Sequence, residues 1–177
     1  MAVVDKSVLK GYFQNGKVPN QTHYEDLIDS FGLVLTPSAR VYNNANITHQ
    51  TSGTWQALTF NSERFDTHAA HSTSVNSGYL IAPLAGYYLI GGGFQFAANG
   101  TGRRNIGIRL NGSNYIASDS RMAISESTVV TSLVISSFYY LNSGDYVELM
   151  ANQSSGGQLI ISYAAAYSPE FWFKFVS

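Results

Sequence analysis

A chain of 177 residues has room for one full domain and a small appendage, and 45% apolar content is enough to build a core. Only 12% of residues are charged and the net charge is −1, so the basic patch that nucleic-acid binding needs is missing. The absence of cysteine excludes disulfides, thiolate metal sites and thiol nucleophiles. Arg103-Arg104, the one adjacent basic pair, reads as solvated loop charge. Ser, Thr, Asn and Gly replace the missing charges. Such a neutral polar surface suits a particle exposed outside cells, or a chain that buries much of itself in an oligomer. Oligomerisation is also the usual source of robustness where disulfides are lacking. Met1 to Lys6 has no apolar signal core, and no apolar run reaches membrane-spanning length. The expectation is a chain made in a cytoplasm, without membrane insertion, that leaves the cell only as part of a particle.

The first 35 residues read as helical. Val8 to Phe13 forms one or two turns, stopped by Asn15-Gly16, and Pro19 punctuates the turn that follows. Thr22 and Glu25 have capping-box spacing. Tyr24, Leu27, Ile28 and Phe31 then recur at the spacing of one apolar helix face, and Gly32 ends the helix. A helix this short is marginal alone in water, so its apolar face is expected to dock on the head, a sister chain or another protein.

From residue 36 the pattern changes to short strands separated by turn residues. Candidates are Arg40–Asn43, Thr54–Phe60, Tyr79–Pro83, Gly86–Ala97, Asn105–Leu110, Thr128–Leu141, Tyr146–Ala151, Gln158–Tyr167 and Phe171–Val176. Asn111-Gly112, Asn142 to Asp145 and Ser154 to Gly157 mark turns. Such a run of strands without intervening helices predicts an all-β sandwich or jelly roll over residues 36–177. The Ser/Thr/His-rich stretch Asn61 to Ser77 reads as a long loop, and long loops on rigid β-scaffolds often carry recognition.

Aromatic residues make up 14% of the chain, with twelve Tyr and ten Phe. Tyr88, Ile90, Phe94 and Phe96 share one strand face; Phe171, Phe173 and Phe175 share another, opposite Trp172, Lys174 and Val176. One sandwich has two inner faces to fill, so some rings are expected outside it, at an interface.

Leu80-Ile81-Ala82-Pro83-Leu84-Ala85-Gly86-Tyr87-Tyr88-Leu89-Ile90 resembles the central signature of complement C-one-q globular heads. Phe60 and Asp66 keep that family's upstream spacing, and Leu141-Asn142-Ser143-Gly144-Asp145-Tyr146-Val147 resembles its L-x-x-G-D-x-V turn. Leu80, Ile90, Gly92 and His71 stand where the family has aromatics. The resemblance implies a C-one-q/TNF-like jelly roll of about ten strands that assembles as a homotrimer and binds ligands. It would give the surplus rings a home along a three-fold axis, with Tyr88, Phe94, Phe96, Tyr140, Phe171, Phe173 and Phe175 as the candidates for the trimer interface. Leu9 to Gln21 and Asp26 to Phe31 resemble a motif of bacteriophage fibre and structural proteins, of the form L-K-x-[YF]-F-x-x-G-x-x-P-[TN] followed by [DE]-L-I-D-S-F. Residues 1–35 are then an adaptor to other virion proteins, docking through Tyr24, Leu27, Ile28 and Phe31.

No serine-nucleophile elbow, phosphate loop, zinc-protease motif or dinucleotide fingerprint occurs, and no spacing singles out a catalytic triad. The expectation is a non-enzymatic virion-surface head without cofactor, assembled in the host cytoplasm, that binds a host-surface glycan. His68, His71, Arg103, Asn114 and Tyr115 are the ligand-loop candidates. Asp66, His68 and His71 could offer a metal two imidazoles and a carboxylate, although a loop histidine pair is more often plain polar surface. The rival expectation is structural, a capsid decoration or fibre cap, and a third is a soluble bacterial signalling or matrix protein.

Overall fold

Among the described residues the chain forms twelve strands, β1 to β12 in chain order, after two helices. The computed structural model describes residues 6–30, 36–126, 128–165 and 169–177. The chain divides into two compact units, Met1–Thr36 and Pro37–Ser177.

In the first unit, α1 (Lys6–Tyr12) and α2 (Gln21–Ser30) contact each other through rings. Tyr12 stacks on His23 at 4.0 Å between centroids and donates its hydroxyl to Asp26 at 3.0 Å, while Phe13 meets the edge of Tyr24 at 5.8 Å. The cap differs from the expected Thr22–Glu25 box. Asn20 Oδ1 accepts the His23 N–H at 3.0 Å, and the Asn20 N–H donates to His23 Nδ1 at 3.2 Å. This reciprocal pair starts the helix at Gln21, and Glu25 instead accepts from the Gln21 side chain at 2.7 Å. An asparagine is a stronger N-cap than a threonine, and the imidazole replaces the glutamate that completes a capping box.

The second unit is a sandwich of two antiparallel sheets. The larger runs β2 (Ile47–His49), β11 (Leu159–Ile161), β6 (Gly86–Phe96), β12 (Glu170–Phe175), β1 (Ser38–Tyr42) and β4 (Ser62–Asp66), with β9 (Thr131–Leu141) on the other edge of β6. The smaller runs β3 (Trp55–Ala57), β10 (Tyr146–Gln153), β7 (Arg103–Leu110) and β8 (Asn114–Met122), with β5 (Tyr79–Ile81) also on β10. These connections, jumping between sheets, make a jelly roll. β2, β4 and β8 are additions to the strands read from sequence. β4 takes the first part of the expected loop, leaving 67–78 as the irregular connection.

The inner faces supply one continuous core. Val41, Phe60, Leu80, Tyr88, Ile90, Phe96, Ile106, Ile108, Val147, Leu149, Phe171 and Phe173 are all within 1% of complete burial. Each fully buried aliphatic or aromatic side chain of this size contributes roughly 1.5–3 kcal/mol.

Turn chemistry fixes the register. Asn111 and Gly112 both have positive φ, 48° and 69°, and close the β7–β8 hairpin as the sequence predicts. Asp145 organises the β9–β10 turn: its carboxylate accepts from Asn111 Nδ2 at 2.8 Å, from the Asn142 N–H at 2.8 Å and from Asn142 Nδ2 at 3.1 Å. The Asn111 hydrogen bond leads the causes that hold this carboxyl below its ordinary value, partial burial opposing them. A carboxyl depressed on folding stabilises the fold above its unfolded pKa, about 3.9, and that contribution fades as pH falls through the folded value. Asp145→Ala should therefore unfold at lower urea concentration than the parent at pH 7. The gap should narrow in acid below the ordinary carboxylate range.

Candidate binding surfaces

A strand buried on one face presents the other, and parity decides which. Tyr88, Phe94, Phe96, Phe171 and Phe173 point between the sheets and are at most 4% exposed; Phe175 is partly buried against the same core. These six belong to the chain's own interior, which corrects their placement at an interface. The odd-numbered residues of β6 face outward instead. Tyr87, Leu89, Phe138 and Tyr140 stand together there, 41–57% exposed, with Tyr87 paired to Tyr140 and Leu89 to Phe138 across β6 and β9. Tyr87 stacks on Phe138 at 5.2 Å and meets the edge of Tyr140 at 5.3 Å. Tyr140 is thus the one interface candidate on the exposed face.

This apolar face continues along the strands. Trp172 lies across Gly91, where a Cβ would come within 2.4 Å of the indole. Val134, 70% exposed, borders a hollow of about 110 Å³ with Gly93, Phe94, Ser132 and Leu133. Beyond β12 the face becomes ionic. Glu170 receives Arg64 Nε at 2.7 Å and pairs with Arg40, and Arg64 also covers the Tyr42 ring at 4.7 Å. The larger sheet therefore presents an apolar centre with a charged margin.

The outer face of the smaller sheet is built differently. Trp55 and Tyr115 pack ring to ring at 5.0 Å, each about 40% exposed. Beside them Arg109 donates through Nε and Nη2 to the two carboxylate oxygens of Glu148, at 2.8 and 3.1 Å. That bidentate contact raises the guanidinium pKa further. Tyr79 and Tyr146 stack at 4.0 Å on the other side of the pair.

No protein-family model matches the sequence, and no curated protein is similar to it by sequence. Solved structures are similar in fold. Eiger TNF from S. frugiperda superposes with a TM-score of 0.58 at 10% identity, over 80% of this chain and 93% of that one. Murine APRIL at pH 8.0 gives 0.59 at 10% identity, over 79% and 98%. The globular domain of zebrafish complement 1qA protein gives 0.53 at 17% identity, over 78% and 92%. The fold is the TNF/C-one-q jelly roll. In this jelly roll the two segments that resemble C-one-q form the β5–β6 corner and the β9–β10 turn.

The remaining candidates separate. His71 is a staple: its side chain has no solvent exposure, with Nδ1 2.8 Å from Glu63 and Nε2 3.1 Å from the Ser77 carbonyl. Asp66 accepts the N–H groups of His68 and His71 at 3.1 and 2.9 Å, and His68 Nδ1 lies 2.9 Å from Thr67 Oγ1. These side chains shape the connection between β4 and β5. Among the described residues no group of three His, Asp or Glu is arranged to hold a metal ion. Arg103 is exposed, whereas Arg104 is fully buried, which corrects the reading of the pair as solvated charge. Asn114 and Tyr115 open β8; Tyr115 joins the Trp55 cluster and Asn114 is exposed at the strand end. In the first unit Tyr24 and Ile28 are 51% and 59% exposed, Leu27 is half-buried, and Phe31 lies outside the described residues.

His71→Ala should remove the bridge between the two ends of the connection. We expect a loss of about 1–3 kcal/mol in chemical unfolding. Amide exchange should accelerate over residues 66–77, with the rest of the sandwich unchanged.

Proposed function

We propose that this chain is a non-enzymatic homotrimeric head, carried on a virion by its N-terminal helices, that attaches to a glycan on the host surface. The observation that carries the reading is the outward apolar face of Tyr87, Leu89, Val134, Phe138 and Tyr140. A soluble domain that exposes such a contiguous cluster is covered by something in use. Further copies of the chain are the occupant favoured here. The cluster sits on the flat of a sheet beside a hollow of about 110 Å³, and its charged margin suits the rim of a protein interface. The TNF/C-one-q jelly roll of the neighbours is the fold of trimeric binding heads, which supports three copies and a binding role. Three or more presented sites also raise avidity by roughly 10² to 10⁴ over a weak single site.

The exposed Tyr24 and Ile28 of α2 favour a second, structural reading, in which attachment to other virion proteins is the main task. Host-cell binding by the isolated head separates the two, because a capsid decoration or fibre cap has no receptor to find.

Light scattering on the purified protein should give a mass about three times the 19.3 kDa chain. Phe138→Asp should shift it to the monomer while leaving the far-UV circular dichroism of a folded sandwich. A monomeric parent protein would remove the basis for the trimer. Deleting residues 1–35 should leave the head folded and abolish its incorporation into the parent particle. Normal incorporation of the truncated form would end the adaptor reading.

A further inference from the structure

The outer face of the smaller sheet carries an aromatic pair that the core does not need. Trp55 on β3 lies opposite Asn152 on β10, which lies opposite Asn105 on β7. Two residues along, Met150 faces Ala57 on one side and Gly107 on the other. In the next row Glu148 stands between Tyr79 and Arg109, and Arg109 is paired with Tyr115. The Tyr115 ring leans back over Gly107, where a Cβ would meet its Cδ1 and Cε1 at 3.0 Å. Glycine at this position lets the phenol lie close to the sheet and reach the indole.

The polar groups around the two rings are held in place. Glu148 is almost wholly covered, its side chain 4% exposed, and it engages Arg109 at both oxygens. Asn105 Nδ2 donates to Asn152 Oδ1 at 2.8 Å. No partner takes Arg109 Nη1, Asn105 Oδ1 or Asn152 Nδ2 among the described residues. Arg109 and Asn105, both partly exposed, therefore set a donor and an acceptor beside the two apolar rings, Asn152 lies mostly covered at 7% exposure, and Arg109 and Glu148 neutralise each other.

We infer that the strip formed by Trp55, Tyr115, Arg109, Asn105 and Asn152 is a saccharide-binding site for a neutral oligosaccharide. A pyranose has an apolar face of C–H groups and an equatorial rim of hydroxyls. The ring pair fits the first, and the guanidinium and amide groups fit the second. The compensated Arg109–Glu148 pair offers nothing to a sulfate or carboxylate that would justify stripping its water, which selects for a neutral sugar. The strip lies on the sheet opposite the apolar face assigned above to sister copies, so assembly leaves it open. This inference rests on the glycan-binding reading and adds its location and ligand class.

The test uses the two tryptophans. In a full-length Trp172→Phe background the only indole is Trp55, so its fluorescence reports on the strip alone. The probes are neutral gluco-, galacto-, manno- and N-acetylglucosamine tetra- to hexasaccharides, with sulfated counterparts, and direct binding is followed in parallel by calorimetry on the parent protein. At least one neutral probe should change Trp55 emission saturably. Tyr115→Ala should weaken that binding about tenfold or more, the loss typical of an interface hot spot, with thermal unfolding kept close to the parent. Sulfation should not tighten it. A probe that binds by calorimetry with no Trp55 response and unchanged affinity in Tyr115→Ala would overturn the location while leaving glycan binding intact. Tighter binding of the sulfated probes would overturn the ligand class. No binding of any probe, together with no attachment of the parent protein to cells, would overturn both the site and the reading on which it rests.

Discussion

Strand β6 runs through the middle of the larger sheet, and its two-residue period commits both faces of the molecule at once. Its even residues Tyr88, Ile90, Phe94 and Phe96 fill the interior, so Tyr87 and Leu89 have no choice but to face out. A slip of one residue against β9 would exchange the two sets and expose the core. Full-length pairing of Gly86–Phe96 with Thr131–Leu141 prevents that slip. The glycines at 91, 92 and 93 belong to the same constraint. Side chains of Trp172, Leu149 and Val134 occupy the space their Cβ atoms would need, at 2.4, 2.9 and 3.2 Å. The strand thus accommodates a large indole on its outer face and a leucine beneath it without displacing its backbone.

At one end of the sandwich the interior turns polar. Arg104 is fully buried beside Phe96, with the guanidinium carbon 5.6 Å from the ring centroid. No carboxylate pairs with it among the described residues. Its Nη groups donate instead to the carbonyls of Asn99, Thr101 and Arg103 at 2.7–3.0 Å, gathering the connection between β6 and β7 around one cation. Burial lowers the Arg104 pKa, and Nε finds no partner among the described residues. His49, edge-on to the same ring at 6.1 Å, likewise satisfies one nitrogen on the Ala151 carbonyl, while Nδ1 has no partner among the described residues. Each unpaired group costs about 1–3 kcal/mol. The end is therefore held by backbone carbonyls brought to a charge, at a loss the apolar core offsets.

What was legible in the sequence follows from which physical signal each element carries. β6, β10 and β12 are legible as apolar and aromatic runs bounded by turn residues, and so is the Asn111-Gly112 turn. β8 is not: Asn-Tyr-Ile-Ala-Ser-Asp-Ser-Arg-Met sits at a sheet edge and bulges at Ile116, opposite Ile108 and Arg109, so neither face imposes a pattern. β4 reads as loop for the same reason, being mostly exposed with only Ser62 and Asp66 half-buried. Parity also held the answer to which rings are outside, since Tyr87 and Tyr88 cannot share a face. Assigning the even set to an interface overlooked that the sandwich must fill its own interior first. The Trp55–Tyr115 contact joins residues 60 positions apart, across strands that do not pair directly, and no local spacing announces it.

The two outer faces answer different chemical demands. The larger sheet exposes rings and aliphatic side chains whose burial is favourable in proportion to area, which suits a permanent contact made once during assembly. The smaller sheet exposes rings whose charged neighbours, Arg109 and Glu148, already compensate each other, so a ligand displaces water there without leaving a charge unsatisfied. A contact of that kind is weak and reversible. On the proposed function its strength would come from repetition, which the first face would supply by holding copies of the second in a fixed array. The low charge of the chain fits the proposed assembly, since few ions would need desolvation at the apolar face.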